Sequence, residues 1–279
     1  MRLPEDQHVH TYYSPCARRE DEQGQPSATP ERYIQRAVEL GLKTIIFTDH
    51  FVEDPAAPEM IVQFYKGSGP AILRDLRTEL ERLDVPDGLA LYIGCETETL
   101  APGRPAISRA LAEKLAFVLV PTTHYHLVGV PQPPSFSPCD VADHMLMMLE
   151  SVVRLGWIDA VAHPFDERES LVGDLRRVYE AMDKRRLEEI LGLAAEKGVA
   201  LEVNGSALNS PARPHYPEMF LPIVQQAKAL GVRFTFGSDA HSLDMLGTSC
   251  ENEAWFAQAG LEAADFITTR ELLAKKGLA

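Results

Sequence analysis

An amphipathic helix, a glycine and a short apolar run follow one another four times along this chain. Residues 31–40 form the first such helix, started by Thr29-Pro30 and stopped by Gly41, and Thr44-Ile45-Ile46-Phe47 follows. Residues 140–155 end at Gly156 before 158–162, residues 184–197 end at Gly198 before 199–203, and residues 217–230 end at Gly231 before 233–236. Proline suits a helix's first turn, where its missing N–H would be unpaired anyway, and glycine suits the left-handed position after the last turn. Apolar spacing inside the helices follows the 3.6-residue period, as in Leu187, Ile190, Leu191 and Ala194. Two further apolar runs lie at 89–94 and 117–120, and a short first one at 7–10. About seven strands alternating with helices predict an α/β fold, a parallel sheet with helices outside it. The runs 43–47 and 117–120 suit strands covered on both faces. The pattern alone leaves a closed barrel and an open sheet equally open. The Pro-rich piece 131–138 and the polar piece 18–30 are expected to be loops, and no linker divides the chain, so one domain over 1–279 is expected.

The histidines are not scattered. Of nine, His8, His10, His50, His124, His126, His163 and His241 fall at or just after the C-terminal end of an expected strand, joined there by Asp49, Glu96 and Asp239. In parallel α/β architectures those strand ends form the functional face. His8-Val9-His10 puts two imidazoles on one side of a strand, since side chains alternate with period two, and Asp239-Ala240-His241 does the same with a carboxylate and an imidazole. Such mixed donors suit zinc, manganese or iron, and the two oxygens of Glu96 could bridge two cations. Taken singly, each feature has a plainer explanation: His50 could be a core histidine and Asp239 a helix cap. Taken together, those explanations would leave many buried polar groups unpaired in one place. His144, inside a helix, and His215, beside prolines, are expected to be structural.

The acidic balance, 41 carboxylates against 27 basic residues for a formal charge of −14, disfavours nucleic acid as a partner. Cys16, Cys95, Cys139 and Cys250 form no C-x-x-C pair and no disulfide framework, which makes a reducing cytoplasm the expected location. No signal peptide or membrane span is expected, for no stretch approaches 18 apolar residues.

Six motifs, in order, carry a resemblance. Gln7-His8-Val9-His10-Thr11, Phe47-Thr48-Asp49-His50, Gly94-Cys95-Glu96, Thr123-His124-Tyr125, Ala162-His163-Pro164-Phe165 and Gly237-Ser238-Asp239-Ala240-His241 together resemble the PHP (polymerase and histidinol phosphatase) family of metal-dependent phosphoesterases. The resemblance implies a distorted seven-stranded (β/α) TIM-like barrel with two or three divalent ions at the C-terminal strand ends. One ion would take His8, His10, Glu96 and Asp239; a second would share Glu96 and take His124 and His163; a third would take His50, His241 and Cys16. Many histidinol-phosphatase-like members carry histidine where this chain has Cys16, and a thiolate ligates zinc or iron better than manganese. The segment Glu202-Val203-Asn204-Gly205-Ser206-Ala207-Leu208 resembles the same branch, with Asn204 a candidate substrate contact. That branch often places an arginine soon after the leucine. Here Asn209 and Ser210 stand there, so Arg213 and Arg168 become the candidate phosphate-binding cations, although both could equally be solvated loop charges.

The expected activity is hydrolysis of a small phosphomonoester, histidinol phosphate being the first to test, by a metal-bridging hydroxide. Asp239 and Glu96 would act at the reacting centre, and His126, which matches no usual family ligand, would either stabilise the leaving alcohol or support the site from behind. The competing expectations are a phosphodiesterase or nuclease of the same family, or a non-catalytic metal-binding module. The expected partner is a small phosphorylated metabolite, and the sequence leaves the oligomeric state open.

Overall fold

The computed structural model describes residues 1–21, 23–57 and 62–278, except the side chain of Cys250. Its strands are β1 (Glu5–Val9), β2 (Thr44–Phe47), β3 (His50–Phe51), β4 (Ala90–Ile93), β5 (Cys95–Thr97), β6 (Thr99–Ala101), β7 (Arg104–Pro105), β8 (Val118–Pro121), β9 (Ala160–Ala162), β10 (Ala200–Asn204) and β11 (Phe234–Gly237). They make a mixed α/β fold around parallel sheet. One sheet has the order β1-β2-β4 and the other β11-β10-β9-β8-β5-β3, every pair in them parallel. Among the pairs of named strands, the small β6-β7 hairpin alone is antiparallel.

Expected runs 43–47 and 89–94 each continue into a second short strand, because the chain changes partner midway. At Gly94 the ladder passes from β2 to β8: Gly94 N–H donates to Phe47 O (2.8 Å), and the next N–H, from Cys95, donates to Phe117 O (2.9 Å). A Cβ on residue 94 would lie 2.4 Å from Phe117 O, so only glycine fits. On the far side β1 meets the end of β11: Asp239 N–H donates to His8 O (2.8 Å) and His10 N–H to Ala240 O (2.9 Å).

β2, β8, β9, β10 and β11 are buried along their whole length, as strands covered on both faces must be. The four anticipated helices occupy Pro30–Leu40, Pro138–Val153, Lys184–Lys197 and Tyr216–Ala229. Leu187, Ile190, Leu191 and Ala194 face the core, and Gly198 closes their helix in the left-handed conformation at φ +65°. No described helix is long and apolar enough to cross a membrane. Cys16, Cys95 and Cys139 are free thiols; the side chain of Cys250 lies outside the described residues.

Candidate metal centre

Because the central strands run the same way, their C-terminal ends share one face. That face gathers His8 from β1, His10 just after it, His50 from β3, Glu96 from β5, His124 after β8, His163 after β9, and Asp239 and His241 after β11. The two oxygens of Glu96 divide these rings. Oε1 lies 3.1 Å from His163 Nε2 and 3.9 Å from His124 Nε2. Oε2 lies 2.9 Å from His50 Nδ1, 3.5 Å from His10 Nε2 and 3.7 Å from His8 Nε2. Asp239 Oδ1 is 3.3 Å from His10 Nε2 and 3.5 Å from His8 Nε2. Three sets thus have donor atoms mutually within 4.8 Å and could each hold a cation: Glu96 with His124 and His163; His8 and His10 with Asp239; and His10, Cys16, His50 and His241.

The outer nitrogens of several rings are tied down. His8 Nδ1 meets Glu202 Oε1 at 2.7 Å, His124 Nδ1 meets Glu98 Oε2 at 2.8 Å, and His241 Nδ1 meets the Asp239 carbonyl at 2.7 Å. Carbonyls and ionised carboxylates only accept, so each Nδ1 carries a proton, and once the ring is neutral its Nε2 has the lone pair, the tautomer a metal ligand needs. His10 Nδ1 sits 3.2 Å from Ser14 Oγ. His163 Nδ1 is buried without a hydrogen-bond partner in the protein, an orphan that a ligand would relieve. The donor set fits divalent cations.

Backbone strain concentrates on this face. Among the described residues, the non-glycine positive φ angles belong to His163 (26°), Phe165 (64°) and Asp239 (56°). Each such conformation costs about 1–3 kcal/mol and persists only where its surroundings enforce it.

Charge is balanced inside the cluster. Burial opposes ionisation of Glu96, yet His50, His163 and His8 hold its carboxyl well below the usual range. Burial likewise opposes ionisation of Asp239, and His8 and His241 more than reverse it. For His8, burial disfavours the charged ring but Glu202 and Asp239 push its pKa well above the ordinary imidazole value. His124 is raised to about 9, with Glu98 and Glu96 outweighing burial. His10 is driven well below by burial and the neighbouring His241 and His50. Burial, then Asp239, Glu96 and Asp49, pushes the Cys16 thiol up.

Over this floor opens a cavity of about 300 Å³ whose wall includes Cys16, Phe64, His126, Leu127, Arg168, Ser206 and Arg213. Arg213 Nε lies 2.6 Å from Asp166 Oδ1, which holds the guanidinium at the wall. The Arg168 guanidinium has no carboxylate partner among the described residues and is exposed at the rim. His126 is held at its inner edge, both by its backbone N–H and by Nδ1, to the carboxylate of buried Glu167 (2.9 Å and 3.1 Å). Asn204, expected as a substrate contact, does not reach the cavity. It is fully buried, its Oδ1 accepts from Ala207 N–H (2.8 Å) to cap a helical turn, and its Nδ2 donates to Glu202 (3.1 Å). Asp49 also faces away, bonded to Thr11 and Ser14. His144 pairs with Tyr125 Oη (2.9 Å) and His215 with Glu169 (2.7 Å), both outside the cavity. Glu169, Asp174 and His215 could also hold a cation, but they are only half-buried, and Arg176 takes the Asp174 carboxylate.

Four carboxylates carry roles the motifs did not show: Glu98, Glu202, Asp166 and Glu167. A glutamate in the all-buried run Ala200-Leu201-Glu202-Val203 was the available signal, since an unpaired charge does not survive there.

No family model matches the chain. A probable phosphatase of Vibrio campbellii is 26% identical over 269 residues, covering 96% of this chain and 89% of its own. One from Caldanaerobacter subterraneus subsp. tengcongensis is 26% identical over 242 residues, covering 86% and 77%. Among solved structures, the histidinol phosphate phosphatase of Lactococcus lactis, determined with zinc, L-histidinol and phosphate, aligns with a TM-score of 0.56 at 18% identity, over 92% of this chain and 94% of its own. A chain of an archaeal ribonuclease P with mature tRNA aligns with a TM-score of 0.53 at 14% identity, over 97% and 87%. At these identities the structural likenesses bear on the fold alone.

Proposed function

We propose that this chain is a metal-dependent phosphatase of the PHP type, a single hydrolase domain over residues 1–279 acting on a small phosphomonoester. Support for a distorted (β/α)7 barrel comes from the continuous ladder through Gly94 and the β1–β11 bonds at His8 and His10. The observation that carries the function is the division of Glu96, one oxygen toward His124 and His163 and the other toward His8, His10 and His50. A carboxylate so placed could contribute one oxygen to each of two cations. His8, His10 and Asp239 would complete one coordination shell, and His124 and His163 the other.

Bound there, zinc, manganese or iron would supply an activated water and neutralise charge on a phosphoryl group. The chain's own residues do the rest. Asp239, whose carboxylate faces the cavity beside His8 and His10, accepts the proton of the attacking water. Arg213, steadied by Asp166, and Arg168 at the rim receive the phosphoryl oxygens through guanidinium donors that match their geometry. His126, steadied by Glu167, stands at the wall where the leaving alcohol departs. A cavity of about 300 Å³ admits a metabolite and not a duplex.

The two named phosphatase relatives support the reading, and the shared fold of a histidinol phosphate phosphatase makes histidinol phosphate the first substrate to assay. The test is phosphate release from a panel of small monoesters by protein loaded with zinc, manganese or iron. Release from at least one, lost together with bound metal in Glu96→Ala, is expected; a panel left untouched sinks the proposal.

A further inference from the structure

Cys16 contributes the one sulphur among the described residues lining the cavity, and its Sγ stands within 4.8 Å of donor atoms of His50, His241 and His10. Its position is built rather than incidental. The residue sits in a short 3-10 turn, Pro15–Ala17, whose preceding Ser14 is buried. Ser14 Oγ donates to Asp49 Oδ1 (2.6 Å) and accepts from His50 N–H (3.0 Å), so the turn carrying the thiol is fastened to the strand end carrying the imidazole. His241 offers Nε2 to the same space because its Nδ1–H is spent on the Asp239 carbonyl. His10 Nε2 serves one cation only, and at 3.3 Å from Asp239 Oδ1 it belongs with the neighbouring set.

We propose that Cys16, His50 and His241 form a sulphur-containing pole of the centre that selects a thiophilic divalent ion (zinc, cobalt or cadmium) over magnesium or manganese. The inference rests on the metal centre proposed above and adds to it a mixed specificity. The sets built from Glu96, Asp239 and imidazoles offer oxygen and nitrogen, which manganese accepts, whereas a thiolate holds soft ions far better. On ligation the S–H bond breaks, an S–metal bond forms and the proton leaves to solvent. Three protein donors would leave a bound ion able to take an exogenous ligand, as in zinc sites of that kind.

The experiment titrates the metal-stripped full-length chain with cobalt(II) and follows the near-ultraviolet thiolate-to-cobalt charge-transfer band, with bound zinc counted in parallel. The expected result is a band in the wild type that Cys16→Ser abolishes, together with loss of one zinc per chain. Cys16→His, a second variant should the serine protein misfold, is expected to lose the band and to raise manganese uptake. A band absent from the wild type, or unchanged in both variants, overturns the proposal. Phosphate release on the same samples separates the two readings. Release without the band removes the sulphur pole alone; the band without release on any monoester removes the phosphatase and keeps the pole.

Discussion

Glu202 Oε1 lies 2.7 Å from His8 Nδ1, and both side chains are almost wholly buried. The other oxygen, Oε2, accepts from His163 N–H (2.7 Å) and from Asn204 Nδ2 (3.1 Å), so one carboxylate sets the ring on β1 and the strained backbone after β9 together. Glu202→Gln keeps the shape but offers Nε2–H₂ donors where acceptors are needed. Weakening of metal binding by about 10–100-fold is expected, the usual cost of losing an outer partner of a ligating histidine. Competition with a chelator measures it. An unchanged affinity would mean that His8 is oriented by packing alone.

The metal-free cluster holds protons that a cation must expel. Burial works against charge on both rings, but carboxylates win: His8 lies well above the ordinary imidazole value and His124 at about 9. Metal uptake should therefore release protons near neutrality and strengthen as pH rises toward about 9. For the metal-free fold the sign is opposite. A group with a raised folded pKa stabilises fully below its unfolded value, about 6.5 for histidine, and loses that contribution as pH climbs through its folded value. His10 and His241 are lowered instead, and their effect falls below this window. Metal-free protein should lose thermal stability across that range while loaded protein holds it. Melting curves with and without chelator check the sign, and calorimetry in buffers of different ionisation enthalpy counts the protons.

Much of this arrangement was legible in the chain because each piece was local. Thr29-Pro30 and Gly41 bound a helix of which Pro30–Leu40 is the observed extent, and the 3.6-residue period over 184–197 reproduced Lys184–Lys197. The chemistry-bearing face followed from where apolar runs stop. Other features depend on distant partners and leave no local mark. Gly94 switches the ladder between β2 and β8 inside what reads as a single run. Asn204 stands in a motif-like segment, yet the buried carboxylate beside it draws its amide inward. The C-terminal helix Thr269–Lys276 has little amphipathic pattern; a capping box between Thr268 and Glu271 and a buried lysine contact hold it.

Gly237 marks the tightest approach beneath the centre. A Cβ there would lie 2.1 Å from His8 Cβ and 2.4 Å from Glu202 Oε1, at the very pair that orients the ring. Gly237→Ala should destabilise by about 1–3 kcal/mol through overpacking and should reduce metal content in the same protein. Gly192→Ala is the control. That glycine lies inside the helix Lys184–Lys197 with nothing within 4 Å of an added Cβ, so about 0.5–1 kcal/mol of stabilisation is expected. Urea unfolding of both variants, with metal analysis, reads the contrast. Equal effects at the two positions would contradict the packing described here.

At the end of the fold away from the centre, Lys276 reaches buried Asp159, and both side chains are nearly inaccessible. The ammonium also donates to Leu115 O (2.9 Å) and Ala112 O (3.2 Å), while Asp159 accepts from Val118 N–H (2.8 Å). The lysine thus ties the C-terminal helix to β8 and to the turn before β9. Burial raises the Asp159 pKa, with Lys276 pulling it back, so removing the lysine leaves a carboxylate that neither water nor a cation stabilises. Lys276→Met should cost about 3–5 kcal/mol, the penalty of an uncompensated buried charge. Adding Asp159→Asn should recover a large part, because Nδ2 and Oδ1 carry no charge to strand. The double-mutant cycle by chemical denaturation decides: simple additivity would show that the two groups do not interact, and recovery would assign the cost to the orphaned carboxylate rather than to lost methylene packing.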